Sequence, residues 1–211
     1  MRMRKKKNLG PRMEQAGSRL CPTPHPSMWA DIAPDKKLFV ELGCGKGRFA
    51  CDMAALHDET LYVAVERVPE AIVVGMERAE QAGLGNLRFI DGDISSLTAW
   101  FAAGSVDALF INFCDPWPRS RHAERRLTHT AFLKVYKTLL APGGRLYFKT
   151  DNAPLYDYTL QCLEEAGYTV LFATRDLHGG SRPDSYPPVT TEYEDRFTAQ
   201  GLPIHALEAT P

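Results

Sequence analysis

The chain has 211 residues and carries 25 basic and 26 acidic side chains, a net charge of −1. That balance excludes a polycation whose whole surface grips nucleic acid, so any such contact must come from local patches. An apolar content of 44% excludes wholesale disorder, and the length suits one domain with a real core.

Residues 1–36 read as a basic, largely irregular N-terminal arm. Its run "RMRKKK" at Arg2–Lys7 is not followed by the apolar stretch of a secretory signal, and "CPTPHPS" at Cys21–Ser27 breaks regular structure. Residues 37–211 read as one domain of short strands alternating with helices. "KLFVEL" (37–42) is a strand, followed by a glycine loop and a helix in "RFACDMAALH" (48–57). "LYVAVE" (61–66) is a second strand, and "PEAIVVGMERAEQAG" (69–83) a helix with proline at its start and glycine at its end. "NLRFIDGD" (86–93) is a third strand, "ISSLTAWFAA" (94–103) a helix and "VDALFINF" (106–113) a fourth strand. "THTAFLKVYKTLLAPGG" (128–144) predicts a helix that stops at Pro-Gly-Gly, before a fifth strand in "RLYFKTD" (145–151). "APLYDYTLQCLEEAG" (153–167) is a helix and "YTVLFAT" (168–174) a sixth strand. "DLHGGSRPDSYPPVT" (176–190) is a loop too polar for the core, and "PIHAL" (203–207) supplies a last short strand. The alternation predicts an α/β, Rossmann-like fold, a mostly parallel seven-stranded sheet with helices on both faces.

No stretch is long and apolar enough to span a bilayer, so no membrane partner is expected. The five cysteines, Cys21, Cys44, Cys51, Cys114 and Cys162, form no Cys-x-x-Cys and show no metal-ligand spacing with a histidine. Reduced thiols in a cytoplasmic protein, with no metal, are the simplest reading.

The strand ends carry acids: Glu41, Glu66, Asp91 or Asp93, Asp115 and Asp151. In a parallel sheet ligands sit at the carboxyl ends of strands, and acids gathered there need cations or donors. The loop "ELGCGKG", with Gly43, Gly45 and Gly47, would let the backbone approach a ligand at a helix N-terminus. It lacks the spacing of a P-loop. A dinucleotide is the rival ligand, because Glu66 could hold ribose hydroxyls. However, the spacing is Gly-x-Gly-x-Gly, and Glu41 ahead of it would repel a pyrophosphate. S-adenosylmethionine suits the set better, with cationic groups for Glu41 and an adenine amino group for Asp93.

The stretches "ELGCGKGRF", "NFCDPWPRSRHAERRLTH", "FKTDN" and "TEYEDRF" strongly resemble the bacterial tRNA (guanine-N7)-methyltransferase family, from about Leu38 to Leu207. The resemblance implies a class I methyltransferase fold, S-adenosylmethionine as donor with S-adenosylhomocysteine as product, and methylation of N7 of the guanine at position 46 of the tRNA variable loop. Carried over by motif, Glu41, Glu66, Asp93 and Asp115 are donor-site acids, and Asp115 is also the residue implicated in catalysis. Arg119, Asp151 and Thr191, Glu192, Tyr193 and Glu194 fall on substrate-contacting positions. Arg121, His122, Ala123, Glu124, Arg125 and Arg126 fall on the RNA-contact segment. Arginine at 119 replaces a more usual lysine, and Cys114 is also a departure. Relatives occur as monomers and as homodimers.

The chemistry agrees with the absence of an evident Ser/His or Cys/His set. N7 of guanine is already nucleophilic and loses no proton on in-line attack, so orientation and stabilisation of the developing positive charge are what a protein must supply. Asp115, held by Pro116, is expected to do both. Other readings stand beside this one. Trp117 either stacks on a base or packs under the following helix. Arg125 and Arg126 either grip phosphates or pair with acids such as Glu124. "TTEYEDRF" is a lid over the guanine or donor, a capped helix start, or both. The whole chain could instead methylate an exocyclic amine or a small molecule, or bind tRNA without chemistry.

Overall fold

The computed structural model describes residues 8–211, so the cationic run Arg2–Lys7 lies outside the described residues. The strand order is β3-β2-β1-β4-β5-β7-β6, the mostly parallel seven-stranded sheet expected. The chain divides between Ala102 and Ala103 into two compact units.

The first unit holds β1 (Lys37–Leu42), β2 (Thr60–Glu66) and β3 (Leu87–Asp91). Both pairings are parallel, running from Lys37↔Thr60 to Leu42↔Val65 and from Tyr62↔Leu87 to Glu66↔Asp91. β2 lies between its two neighbours and is buried along its length up to Glu66, which is why it reads as a continuous apolar run and not as an alternation. Two helices cover these strands, here α3 (Arg48–Leu56) and α4 (Pro69–Gln81). Their buried residues, Phe49, Ala50, Met53 and Ala54 on one and Ala71, Ile72, Val73, Met76 and Ala79 on the other, recur at the helical spacing. The helix expected over 94–103 is shorter: a 3-10 turn, Ile94–Ser96, leads into α5 (Leu97–Trp100).

The N-terminal segment departs from expectation. It forms α1 (Leu9–Gln15), a 3-10 turn at Gly17–Arg19 and α2 (Met28–Ile32), while Cys21–Ser27, as predicted, and residues 33–36 are irregular. Arg12 forks onto Glu77 at 2.6 and 2.5 Å, and Arg19 bonds Glu80 at 2.7 Å and the Leu84 carbonyl. Leu20 bridges to Phe89, and Cys21 N–H donates to the Phe89 carbonyl at 2.8 Å. Trp29 stacks on Phe101 at 5.3 Å and donates its indole N–H to the Trp100 carbonyl. The physical cause is the outer edge of β3, whose backbone groups would otherwise face solvent unpaired.

The second unit holds β4 (Val106–Asn112) parallel to β5 (Leu140–Thr150), with β7 (His205–Thr210) antiparallel to both β5 and β6 (Thr169–Thr174). Its helices are α6 (Thr130–Leu139), α7 (Ala153–Glu165) and α8 (Glu192–Thr198). Pro142-Gly143-Gly144 does not end α6. The helix stops at Leu139, Leu140 already pairs with Val106, and the next pairing is Ala108↔Arg145. The Pro-Gly-Gly is therefore a bulge within β5, where Gly143 has φ +78° and a Cβ on Gly144 would lie 2.9 Å from the Ala141 carbonyl. The loop 176–190 is not wholly outside the core either: Leu177, Tyr186 and Val189 are buried, with the Tyr186 ring edge-on to Tyr147 and Phe172.

Candidate active site

In the first unit the loop after β1 turns through three glycines with φ of +77°, +54° and +69° at Gly43, Gly45 and Gly47. They have different tasks. A Cβ on Gly43 or Gly45 would meet no protein atom within 4 Å, which leaves a cradle open to a ligand. A Cβ on Gly47 would lie 2.8 Å from the Cα of Gly75, so Gly47 serves the close packing of α3 on α4. Glu66 holds the loop in shape. One carboxylate oxygen accepts from Gly45 N–H at 2.9 Å, and the other from the N–H groups of Arg67 and Val68 at 2.9 and 3.0 Å. Glu41 is buried at the end of β1. Asp93 is exposed and accepts from Ser95 N–H at 3.0 Å, a bond that holds its carboxyl below the usual range; Arg67 lies 3.8 Å away. Gly92, between Asp91 and Asp93, admits no side chain because Trp100 lies 2.6 Å from where its Cβ would be. This cradle, with acids fixed beside it, fits the adenosyl and amino-acid ends of S-adenosylmethionine.

In the second unit β4 ends in a strained turn. Phe113 and Trp117 both have positive φ, +52° and +40°, and neither is glycine. Bulky residues seldom adopt this conformation, which costs on the order of 1–3 kcal/mol each and persists only where surroundings enforce it. Phe113 N–H is held by the Lys149 carbonyl at 2.9 Å. Between the two strained residues Asp115 is exposed, and Cys114 is a thiol pushed up to about 12 by burial and then by Asp115. That thiol stays protonated near neutrality and is no nucleophile. The ring of Trp117 meets His122 edge-on at 5.8 Å, and the Arg125 guanidinium lies 5.1 Å over it.

The basic strip divides. Arg119, Arg121 and Arg125 are exposed around a 3-10 turn, Ser120–Arg125, which also carries His122, Ala123 and Glu124. Arg126 turns inward: its Nε donates to the Pro116 carbonyl and its Nη2 to the Trp117 carbonyl, each at 3.0 Å. Carbonyls, and not Glu124, are its partners.

The "TTEYEDRF" stretch forms a capped helix start. Thr191 accepts from Glu194 N–H at 2.9 Å while the Glu194 carboxylate accepts from Thr191 N–H at 3.2 Å. Glu194 is fully buried: Lys149 Nζ and His178 Nε2 each bond it at 2.9 Å, and Lys149 also donates to the Val189 carbonyl. Tyr193 is the outward member, 43% exposed, stacked on Phe197 at 4.6 Å and tilted against Phe113 at 5.0 Å. Its hydroxyl is pushed up by partial burial and by Asp151. Glu192 and Asp151 are half-buried. Sequence reasoning missed Lys149 as a partner, although a lysine inside the apolar run "RLYFKTD" is a signal that a buried acid must meet it. Among the described residues no three His, Cys, Asp or Glu side chains gather as a metal site, and no helix is long and apolar enough to cross a membrane.

Comparison with known proteins identifies the family and the fold. A family model described as "Putative methyltransferase" matches residues 35–207. A tRNA (guanine-N(7)-)-methyltransferase of Geobacillus kaustophilus is 37% identical over 182 residues, 86% of this chain and 82% of that one. One from Macrococcus caseolyticus is 40% identical over 172 residues, 82% of this chain and 80% of the other. Among solved structures, the 16S rRNA methyltransferase KamB superposes with a TM-score of 0.65 at 13% identity, covering 87% of this chain and 92% of that one. The antibiotic-resistance methyltransferase Kmr gives 0.60 at 18%, covering 85% and 89%. At such low identity these two speak for the class I methyltransferase fold alone.

Proposed function

This chain belongs to the tRNA (guanine-N7)-methyltransferase family, and on that premise we propose how its residues divide the work of methylating N7 of guanine in tRNA. S-adenosylmethionine supplies a methyl group on a sulfonium; the N7–CH3 bond forms as the S–CH3 bond breaks, and no proton leaves the nitrogen. Gly43 and Gly45 let the main chain close on the donor. Glu41 and Asp93 recognise its cationic and adenine ends. Glu66 contributes by fixing Gly45, and its remaining lone pairs face ribose hydroxyls.

Asp115 orients the guanine and stabilises the positive charge that develops on the purine. The observation that carries this is the turn itself. Two non-glycine residues at positive φ bracket one exposed carboxylate, and strain of this kind marks a geometry held for a purpose. A carboxylate there accepts from guanine N1–H and the exocyclic amine, which rejects adenine. Tyr193 and Asp151 offer an aromatic edge and a second acceptor. Arg119, Arg121 and Arg125 hold tRNA phosphates, so the guanine, at position 46 of the variable loop, is presented out of its tertiary pairing. The bound tRNA is the partner required, and no metal takes part.

The test is direct. The protein is incubated with methyl-labelled donor and total tRNA, and the modified base is mapped. Label at N7 of the variable-loop guanine is expected, with loss of signal in a transcript lacking that guanine. Asp115→Ala should bind donor normally and lose turnover by at least a hundredfold; normal turnover would refute its role.

A further inference from the structure

The basic strip after Asp115 carries an internal contrast. Arg119, Arg121 and Arg125 are exposed, whereas Arg126 spends its planar fork on two successive carbonyls of the turn, Pro116 and Trp117, at 3.0 Å each. We infer that Arg126 is a positioning residue that fixes the turn carrying Asp115, and not a contact for tRNA phosphate. The inference rests on the reading of Asp115 given above.

The turn needs such a residue because of its composition. Pro116 and Pro118 have no N–H, so the segment has few donors with which to pin itself. Trp117, between them, sits at φ +40°, a conformation that relaxes unless something outside the turn holds it. Arg126 does so from ten residues away in sequence. Two N–H groups of one rigid plane meet two adjacent carbonyls, so both position and tilt of the Pro116–Trp117 peptide are set. The other face of that plane is seated too. The guanidinium carbon lies 4.2 Å over the ring of Tyr158 on α7, a helix whose own start is fixed by the Asn152 side chain accepting from Leu155 N–H at 2.9 Å. The turn is thus tied through Arg126 to a capped helix, and the carboxylate one residue before Pro116 inherits that rigidity. Lysine cannot replace it, because an ammonium on a flexible stem lacks the fixed fork.

The experiment compares Arg126→Lys and Arg126→Gln with Arg125→Gln, Tyr158→Phe and Asp115→Ala. It reads kcat, KM for tRNA, and the dependence of tRNA binding on salt. Melting temperatures are measured alongside, and Arg126→Lys decides if the glutamine variant does not fold. Expected are a fall in kcat of about tenfold or more in both Arg126 variants, KM for tRNA within about twofold of the parent, and an unchanged salt slope. Arg125→Gln should lower the salt slope by roughly one, the mark of a lost phosphate contact. Tyr158→Phe, which keeps the ring but removes a hydroxyl that also bonds Arg126, should lower kcat less than either Arg126 variant. Parent kcat in Arg126→Lys, or a flattened salt slope in Arg126→Gln, would overturn the inference. The two readings separate: an active Asp115→Ala removes the premise, whereas an inactive Asp115→Ala beside a fully active Arg126→Lys overturns the role of Arg126 alone.

Discussion

Glu194→Gln should damage the fold before it damages recognition. The Glu194 carboxylate accepts from Lys149 Nζ, His178 Nε2 and Thr191 N–H, and the side chains of Lys149 and Glu194 are 3% and 1% exposed. Removing one member of a buried pair strands the other charge, at a cost of about 3–5 kcal/mol. For a chain of this size each kcal/mol moves the melting temperature by about 2–4 °C, so a fall of roughly 6–20 °C is expected. Glutamine still satisfies the capping box with Thr191, so the loss comes from the charge and not from the cap. Lys149→Met alone should cost a similar amount by stranding Glu194. Joined in one chain, the two changes leave no unpaired charge, and the double variant should recover about 2–3 kcal/mol over the sum of the single losses. Urea denaturation followed by circular dichroism measures all three. A Glu194→Gln protein that melts within about 2 °C of the parent while kcat/KM for tRNA falls tenfold would refute the reasoning and return Glu194 to the substrate.

Gly43→Ala and Gly47→Ala should fail differently. The first meets no protein atom, so donor KM rises while the stability loss is confined to about 1 kcal/mol of backbone strain at φ +77°. The second drives a Cβ to 2.8 Å from Gly75 and should lower the unfolding free energy by more than about 1 kcal/mol. Glu66→Ala strands the N–H groups of Gly45, Arg67 and Val68; isothermal titration should show donor binding weakened at least tenfold, with a stability loss of about 1–3 kcal/mol. Burial holds the Cys51 thiol at about 12, above its ordinary 9.0. The folded state therefore keeps a proton that the unfolded chain releases. This contribution is complete below about pH 9 and is lost as pH rises towards 12, at up to roughly 1.4 kcal/mol per pH unit. Cys51→Ala should make the fall in urea midpoints between about pH 9 and 10.5 shallower by one thiol's share, the rest coming from Cys114 and Cys44, whose thiols burial also raises.

Much of this was legible because the signals are local. β2 is an unbroken apolar run, α4 is punctuated by Pro69 and Gly83, and the glycine loop follows a strand directly. The acids Glu41, Glu66 and Asp91 could be placed at the ends of their strands. What the sequence concealed depends on residues far apart in it. Nothing near Lys149 announces Glu194, 45 residues on. The pairing of Arg12 with Glu77 and of Arg19 with Glu80 made structure out of a segment whose composition reads as a tail. Pro142-Gly143-Gly144 carries the composition of a helix stop but is folded as a bulge, because Leu140 finds Val106 before the turn begins. The different fates of Arg125 and Arg126, neighbours of one residue type, are set by which side of a short 3-10 turn each leaves.

The segment laid along β3 has a consequence for the protein in a crowded cell. A sheet grows by accepting another strand at a free margin. At β3 the middle of that margin is taken by Leu20 and Cys21, which meet it at Phe89 and obstruct a strand from another copy there. The opposite margin, β6, keeps Val170 and Leu171 turned to solvent, and its pairing to β7 slips between Val170 and Phe172. Among the described residues β6 is the more open margin, and its irregular ladder makes a poor template for a straight fibre.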